Sequence, residues 1–321
     1  CHSLGGAANK NIGDAFLISW NRMGKGASDA LSTADGEDDP LKYQADKALL
    51  SVIRIAIALY DEQFYLETVS NRAKSALQDK LRTSTGSLVK LGFGLHAGVA
   101  VQGAIGSVKK IDATYISEHV DMAETLESTT KSYGVPMLMS NAFYDLLTEN
   151  RQEECRKIDQ LHNVNGTTLE LYTWDMDIEN IWREDLNDPT YNPGRNLLES
   201  IKVSSFRNPS KNSAAVNLDE IQKKNPDFMK MDELPNSVID YDRGVWVDVK
   251  MMLIRNKFDL GFFLNFDDAI DLYKEGDWMG AKEMFEELIS DYQDGPSKHF
   301  MKLMAESNFL PPRNFTGFGQ L

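Results

Sequence analysis

From Phe93 to Ile105 every odd position is apolar or small, in the order Phe93, Leu95, Ala97, Val99, Val101, Gly103, Ile105. A repeat of two puts such residues on one face of a pleated chain, so the run predicts a half-buried strand. Gly106 to Lys110 supplies a turn, and Ile111, Ala113 and Tyr115 restart the alternation. From 119 to 134 the spacing becomes helical. A short strand over Pro136–Met139 follows, then a helix over Ser140–Thr148 with Ser140 as its N-cap. Arg156–Asp159 and Leu169–Thr173, parted by Asn165-Gly166, predict a closing hairpin.

Upstream, Gly5-Gly6 marks a turn, two strands meet around Asn11 to Asp14, and Ala15–Trp20 is strongly apolar. Asn21–Pro40, rich in Gly, Ser and Asp, reads as a loop, and its acidic run Asp35–Asp39 as a solvated part of it. Helical periodicity runs from Tyr43 to about Asp79, with Ala45, Ala48, Leu49, Val52, Ile55, Ala56 and Leu59 on one side. Residues 1–178 thus predict an α+β sheet domain. Residues 179–260 read as an irregular connector with short helices, because Asn192-Pro, Asn208-Pro, Asn225-Pro and Leu234-Pro interrupt every pattern. Residues 261–321 turn helical again. Two helices meet at Gly276-Asp277, with Ala281 and Phe285 facing back and Trp278 packed between them. Such a hairpin cannot bury its own apolar face, so it needs the sheet domain or partner repeats beside it.

The chain has 321 residues, 42% hydrophobic and 26% charged, which is the make-up of a globular protein. A formal net charge of −15 argues against nucleic acid or an anionic membrane as the main partner. It does not argue against a nucleotide, which metal ions and backbone amides can hold locally. Cys1 and Cys155 form neither a disulfide framework nor a zinc pattern, so a reducing, cytoplasmic setting is expected. The longest apolar run, Leu49–Tyr60, is broken by Ser51 and Arg54 and is too short to span a membrane. Cys1 in place of a methionine suggests a fragment, and the chain is also compatible with the cytosolic part of a larger membrane protein. The sequons at Asn165 and Asn314 are common by chance and carry little weight.

Three stretches, Gly5–Leu17, Leu91–Ser128 and Tyr133–Ser140, occur in the order and with the motifs of one family. Together they resemble the C-terminal half of the class III nucleotidyl cyclase domain, over about residues 3–177. The ending, with Asp294-Gly-Pro-Ser297, Phe309-Leu-Pro-Pro312 and Phe315–Gly319, resembles the tetratricopeptide-like extension of some microbial and protist cyclases. The resemblance implies a ferredoxin-like antiparallel sheet with flanking helices and a C-terminal helical hairpin. The implied reaction turns ATP into cyclic AMP, the ribose 3′-oxygen attacking the α-phosphorus as pyrophosphate leaves. Two magnesium or manganese ions suit such an in-line displacement, since they stabilise the attacking and leaving oxygens. The family motif makes Asp14 a metal ligand; the other metal-binding Asp would precede residue 1. Catalysis would need a homodimer or a heterodimer with another cyclase domain, and the C-terminal helices could take a further protein partner.

Base choice is implied at Lys10 and Thr114, both adenine-type, because a lysine donor suits adenine N1 and not the protonated N1 of guanine. An ordinary surface lysine and an ordinary strand threonine are the other reading of the same residues. Asp121 and Thr125 stand where the family has a catalytic Asn and Arg. Their i, i+4 spacing keeps both on one helical face. The Arg neutralises phosphate charge, a role in which losing one donor typically costs about 10²–10³ in rate. A carboxylate facing a triphosphate repels it by about 4 kcal/mol per unit charge at 4 Å and an effective dielectric of 20. Glu118, Glu124 and Glu127 add to the acidity. Three functions are therefore expected: a cyclase domain weak or inactive as a homodimer, an eroded pseudo-cyclase regulating or pairing with an active one, or a scaffold working through its helical tail.

The other candidates are bland. His96, at an even position of its strand, reads as a solvent or interface residue, and His2, His119, His162 and His299 lack ligand spacing. Gly92, Gly94, Gly98, Gly103 and Gly106 lie inside alternating strands, where glycine permits close approach of a helix or subunit rather than cradling a phosphate.

Overall fold

The structure, a computed structural model, describes residues 2–12, 15–21, 40–61, 70–73, 75–76, 91–107, 110–162, 168–178, 246, 249–313, 315, 317 and 319–320. Asp14, the acidic run 35–39, the Asn165-Gly166 turn, both sequon asparagines and the proline-broken part of the connector lie outside the described residues.

A short 3-10 turn at His2–Leu4 leads into the antiparallel strands β1 (Ala7–Ile12) and β2 (Ala15–Ser19). Then come α1 (Pro40–Asp61), β3 (Phe93–Leu95) and an antiparallel ribbon of β4 (Val101–Ser107) with β5 (Lys110–Ile116). Next are α2 (Glu118–Tyr133), β6 (Met137–Ser140), the single turns α3 (Asn141–Tyr144) and α4 (Glu149–Gln152), and the hairpin β7 (Arg156–His162) and β8 (Thr168–Thr173). After α5 (Val249–Arg255) follow α6 (Leu260–Glu275), α7 (Trp278–Tyr292), α8 (Gly295–Glu306) and β9 (Gly319–Gln320). The class is mixed α+β. One five-stranded sheet has the order β3-β6-β8-β7-β9, with β3/β6 and β7/β9 parallel and the inner pairs antiparallel.

β6 shows how the layers arise. Its residues are all buried, and alternate side chains enter two different cores. Met137 and Met139 join Leu49, Ile53 and Ala56 of α1, together with Leu95, Trp174 and Ile254 of α5. Leu138, on the other face, joins Leu126 of α2, Ile158, Leu171 and the aromatic residues of α6–α8. Helices thus cover both faces of the sheet, and α6–α8 complete the second core. Gly276 and Asp277 cap the α6–α7 junction, where Trp278 stacks on Tyr273 with ring centroids 5.4 Å apart.

Two elements differ from the sequence reading. The strand expected over Phe93–Ile105 stops at Leu95 and resumes at Val101. β3 pairs with only three residues of β6, and beyond that edge the chain turns to wrap the start of α2. The helix expected over Ser140–Thr148 keeps its Ser140 cap but ends at Tyr144. The buried carboxylate of Asp46 accepts from the Thr148 amide (3.0 Å) and hydroxyl (2.7 Å), holding Thr148 extended and starting a new turn.

Candidate functional site

The site suggested by the sequence centres on α2. Ser117, with extended backbone, caps it: its Oγ accepts from the His119 amide (3.1 Å) and donates to the Val99 carbonyl (2.7 Å). Glu118 and Asp121 occupy the first turn, where carboxylates complement the positive end of the helix dipole. The helix lies directly on β3. A Cβ at Gly94 would collide with the Ala123 carbonyl and the Glu127 amide, so glycine permits this approach. Leu126, Thr130 and Tyr133 are buried beneath, which leaves Asp121 and Thr125 exposed on the outer face.

Thr125 does not project a free hydroxyl: its Oγ1 donates to the Asp121 carbonyl (2.8 Å). Ser128 and Thr129 return in the same way to the Thr125 carbonyl, at 2.9 and 2.7 Å. Positions 121 and 125 therefore present a carboxylate and a hydroxyl bonded to its own helix.

Lys10 lies on β1 opposite Leu17, next to a register shift. Thr114 lies on β5 opposite Gly103, half-buried, its hydroxyl donating to the Tyr115 carbonyl at 3.4 Å. β1 packs against β5, and the Tyr115 hydroxyl accepts from Ser19 Oγ (3.0 Å) and Asn21 Nδ2 (2.7 Å). The fold thus sets Lys10 and Thr114 on neighbouring strands, with Asp121 and Thr125 on the helix that follows β5. Asp14 lies outside the described residues. Among the described residues no group of three or more His, Cys, Asp or Glu is placed to hold a metal ion.

Two histidines dismissed from the sequence meet here. His96 Nδ1 is 2.6 Å from Ser140 Oγ, and His96 Nε2 is 2.9 Å from His119 Nδ1. Half-buried, His96 has its pKa pushed down to about 4, first by burial and then by the facing His119. The reading of His96 as a solvent or interface residue follows from an unbroken strand; with the break after Leu95 it is half-buried, against Ser140 and His119. Nothing in the sequence pairs the two rings, because the contact depends on where β3 stops.

The ribbon beside α2 leaves apolar side chains uncovered. Val101 and Ile116, directly paired across β4–β5, are 70% and 57% exposed, Val99 is 85% exposed, and Phe16 on β2 is 65% exposed. Along the predicted half-buried face Leu95 is buried, Phe93 and Ala97 are half-buried, and Val99 and Val101 are exposed. Among the described residues, no helix is long and apolar enough to cross a membrane.

No family model matches the chain. An adenylate cyclase from Anabaena cylindrica is 27% identical over 119 residues, which cover 34% of this chain and 24% of that protein. Two structures of a bacterial light-regulated adenylyl cyclase are each 21% identical. They cover 53% and 54% of this chain and 39% of theirs, with TM-scores of 0.33 and 0.35. The chain spans about a quarter of the length of the Anabaena relative.

Proposed function

We propose that this chain is a class III cyclase-type domain of the adenylate cyclase kind, weak or inactive as a homodimer, that acts by pairing with another cyclase domain. The observation that carries this reading is the outer face of α2. Asp121 is exposed there, and the Thr125 hydroxyl is committed to the Asp121 carbonyl, so both positions that should hold a polyanion lack a cation. Similarity to the Anabaena adenylate cyclase supports the cyclase part of the reading. Lys10 and Thr114 support ATP as the nucleotide. The uncovered apolar side chains of the β4–β5 ribbon support a dimer, because a two-stranded ribbon alone is marginal in water. The ferredoxin-like arrangement, the tetratricopeptide-like character of α6–α8, and magnesium or manganese held by Asp14 with an Asp from outside this chain belong to the same reading.

The test is to supply ATP and manganese and to measure cyclic AMP for the wild type and for Asp121→Asn with Thr125→Arg, each alone and mixed with a cyclase domain that keeps both metal-binding Asp residues but lacks its own Asn and Arg. The expected result is little or no product from the wild type and, in the mixture, a gain of at least about 10²-fold in the double variant, the usual worth of one restored donor. Ready turnover by the unaltered homodimer would overturn the reading.

A further inference from the structure

We propose that Ser140, His96 and His119 form a directed hydrogen-bond chain that positions the first turn of α2 on the sheet, and that an added proton breaks it. The proposal rests on this geometry alone and holds whether or not the chain acts on nucleotides. Its direction follows from Ser140. That residue is fully buried, and as N-cap of α3 its Oγ already accepts from the Phe143 amide at 3.4 Å. The hydroxyl proton needs an acceptor, and His96 Nδ1 lies 2.6 Å away. A neutral His96 that accepts at Nδ1 carries its own proton on Nε2. Nε2–H then donates to His119 Nδ1 at 2.9 Å, which leaves the His119 proton on its far nitrogen. Each link then has one donor and one acceptor, whereas the reverse direction would leave the Ser140 proton without an acceptor among the described residues.

The packing admits this placement at one residue in particular. A Cβ at Gly98 would overlap the imidazole of His119, so the loop between β3 and β4 can fold over that ring only with glycine there. The charged surroundings are sparse. The loop residues Ala97 to Ala100 and β3 itself carry no charge, and β6 contributes only the Ser140 hydroxyl. On α2, the exposed Glu118 and Asp121 flank His119, and His119 is the group that bears on His96 electrostatically.

A proton placed on His96 Nδ1 would meet the Ser140 hydroxyl and cut the chain at its anchor on β6, so that His96 no longer holds a fixed orientation toward His119 of α2. The open form, with an ordinary histidine, binds a proton below about pH 6.5, whereas the closed form resists until about pH 4. Between those values the opening equilibrium of the first turn should rise about tenfold for each unit of falling pH. Above pH 6.5 this proton-linked contribution to closure is fully present.

The test uses the full chain with ¹⁵N-labelled histidine, following ring nitrogens by NMR and amide exchange at residues 119–122, corrected for intrinsic rates. Expected are His96 protonated on Nε2 and bare on Nδ1 at neutral pH, a midpoint well below that of a free histidine, and exchange at 119–122 that rises in acid. His119→Phe keeps an aromatic ring but removes the acceptor and should abolish the acid rise. His119→Gln restores an acceptor and should bring part of it back. Protonation of His96 on Nδ1, a midpoint near 6.5, or an unchanged acid rise in His119→Phe would each overturn the proposal. If the Phe variant fails to fold, the wild-type tautomer decides.

Discussion

At the scale of the residue, Asp121 answers to two opposing demands. In the first turn of α2 its carboxylate favours the helix, by about 0.3–1 kcal/mol at an exposed N-terminus. Opposite a triphosphate it would be unfavourable. The pair Asp121 and Thr125 was legible in the sequence because a helix brings i and i+4 together whatever surrounds it. The pair His96 and His119 was not, because it depends on where a strand stops. Gly94 separates packing from chemistry. With the Ala123 carbonyl and the Glu127 amide against its backbone, Gly94→Ala should cost about 1–3 kcal/mol through overpacking. Urea unfolding measures it, and a change below about 0.5 kcal/mol would mean that α2 does not rest on β3 as described.

At the scale of the element, identical cap chemistry can have very different weight. Asp277 caps α7 at an exposed position, accepting from the Gly280 amide at 3.0 Å. Asp294 caps α8 through the Ser297 amide (2.8 Å) and hydroxyl (2.6 Å), and also accepts from Arg156 Nη2 at 2.9 Å. Arg156 is wholly buried, held in two-point contact by Asp175 at 2.9 and 2.6 Å and covered by the rings of Phe262 and Phe266. Burial opposes its charge, but the carboxylates of Asp175 and Asp294 outweigh that and push its pKa above the ordinary guanidinium value. Asp277→Ala should therefore cost about 1 kcal/mol, the usual worth of a cap. Asp294→Ala should cost about 3–5 kcal/mol, because it leaves a buried charge short of a partner. Chemical denaturation compares the two; equal costs would remove Arg156 from the account. The junction at Gly276-Asp277 is legible in the sequence, yet nothing near Arg156 announces a partner 138 positions away.

At the scale of the whole molecule, the helices after Asp259 are part of the sheet's own packing. Phe262, Phe266, Phe285 and Phe300 share one core with Leu126, Leu138, Ile158 and Leu171. α8 also touches the end of α2, where the His299 and Tyr133 rings meet at a tilt with centroids 4.1 Å apart. A chain ending at residue 258 should expose that second face, bind a hydrophobic dye and lose cooperative unfolding. A soluble, cooperatively folding fragment would show instead that α6–α8 are dispensable to the sheet.

Local order was written in the sequence: the alternation in β4 and β5, the helical rows of α1 and α2, the cap Ser140, the helix junction at Gly276-Asp277, and the hairpin of β7 with β8. These follow from the repeat of the backbone itself, which each segment carries without reference to any other. Tertiary structure alone decided where the strand after Phe93 breaks, which apolar faces are covered and which remain open, and which side chains meet. Such outcomes depend on burial and charge pairing between segments far apart in the chain. Asp46 therefore ends a helix at Tyr144, and Ser140 draws His96 out of solvent toward His119.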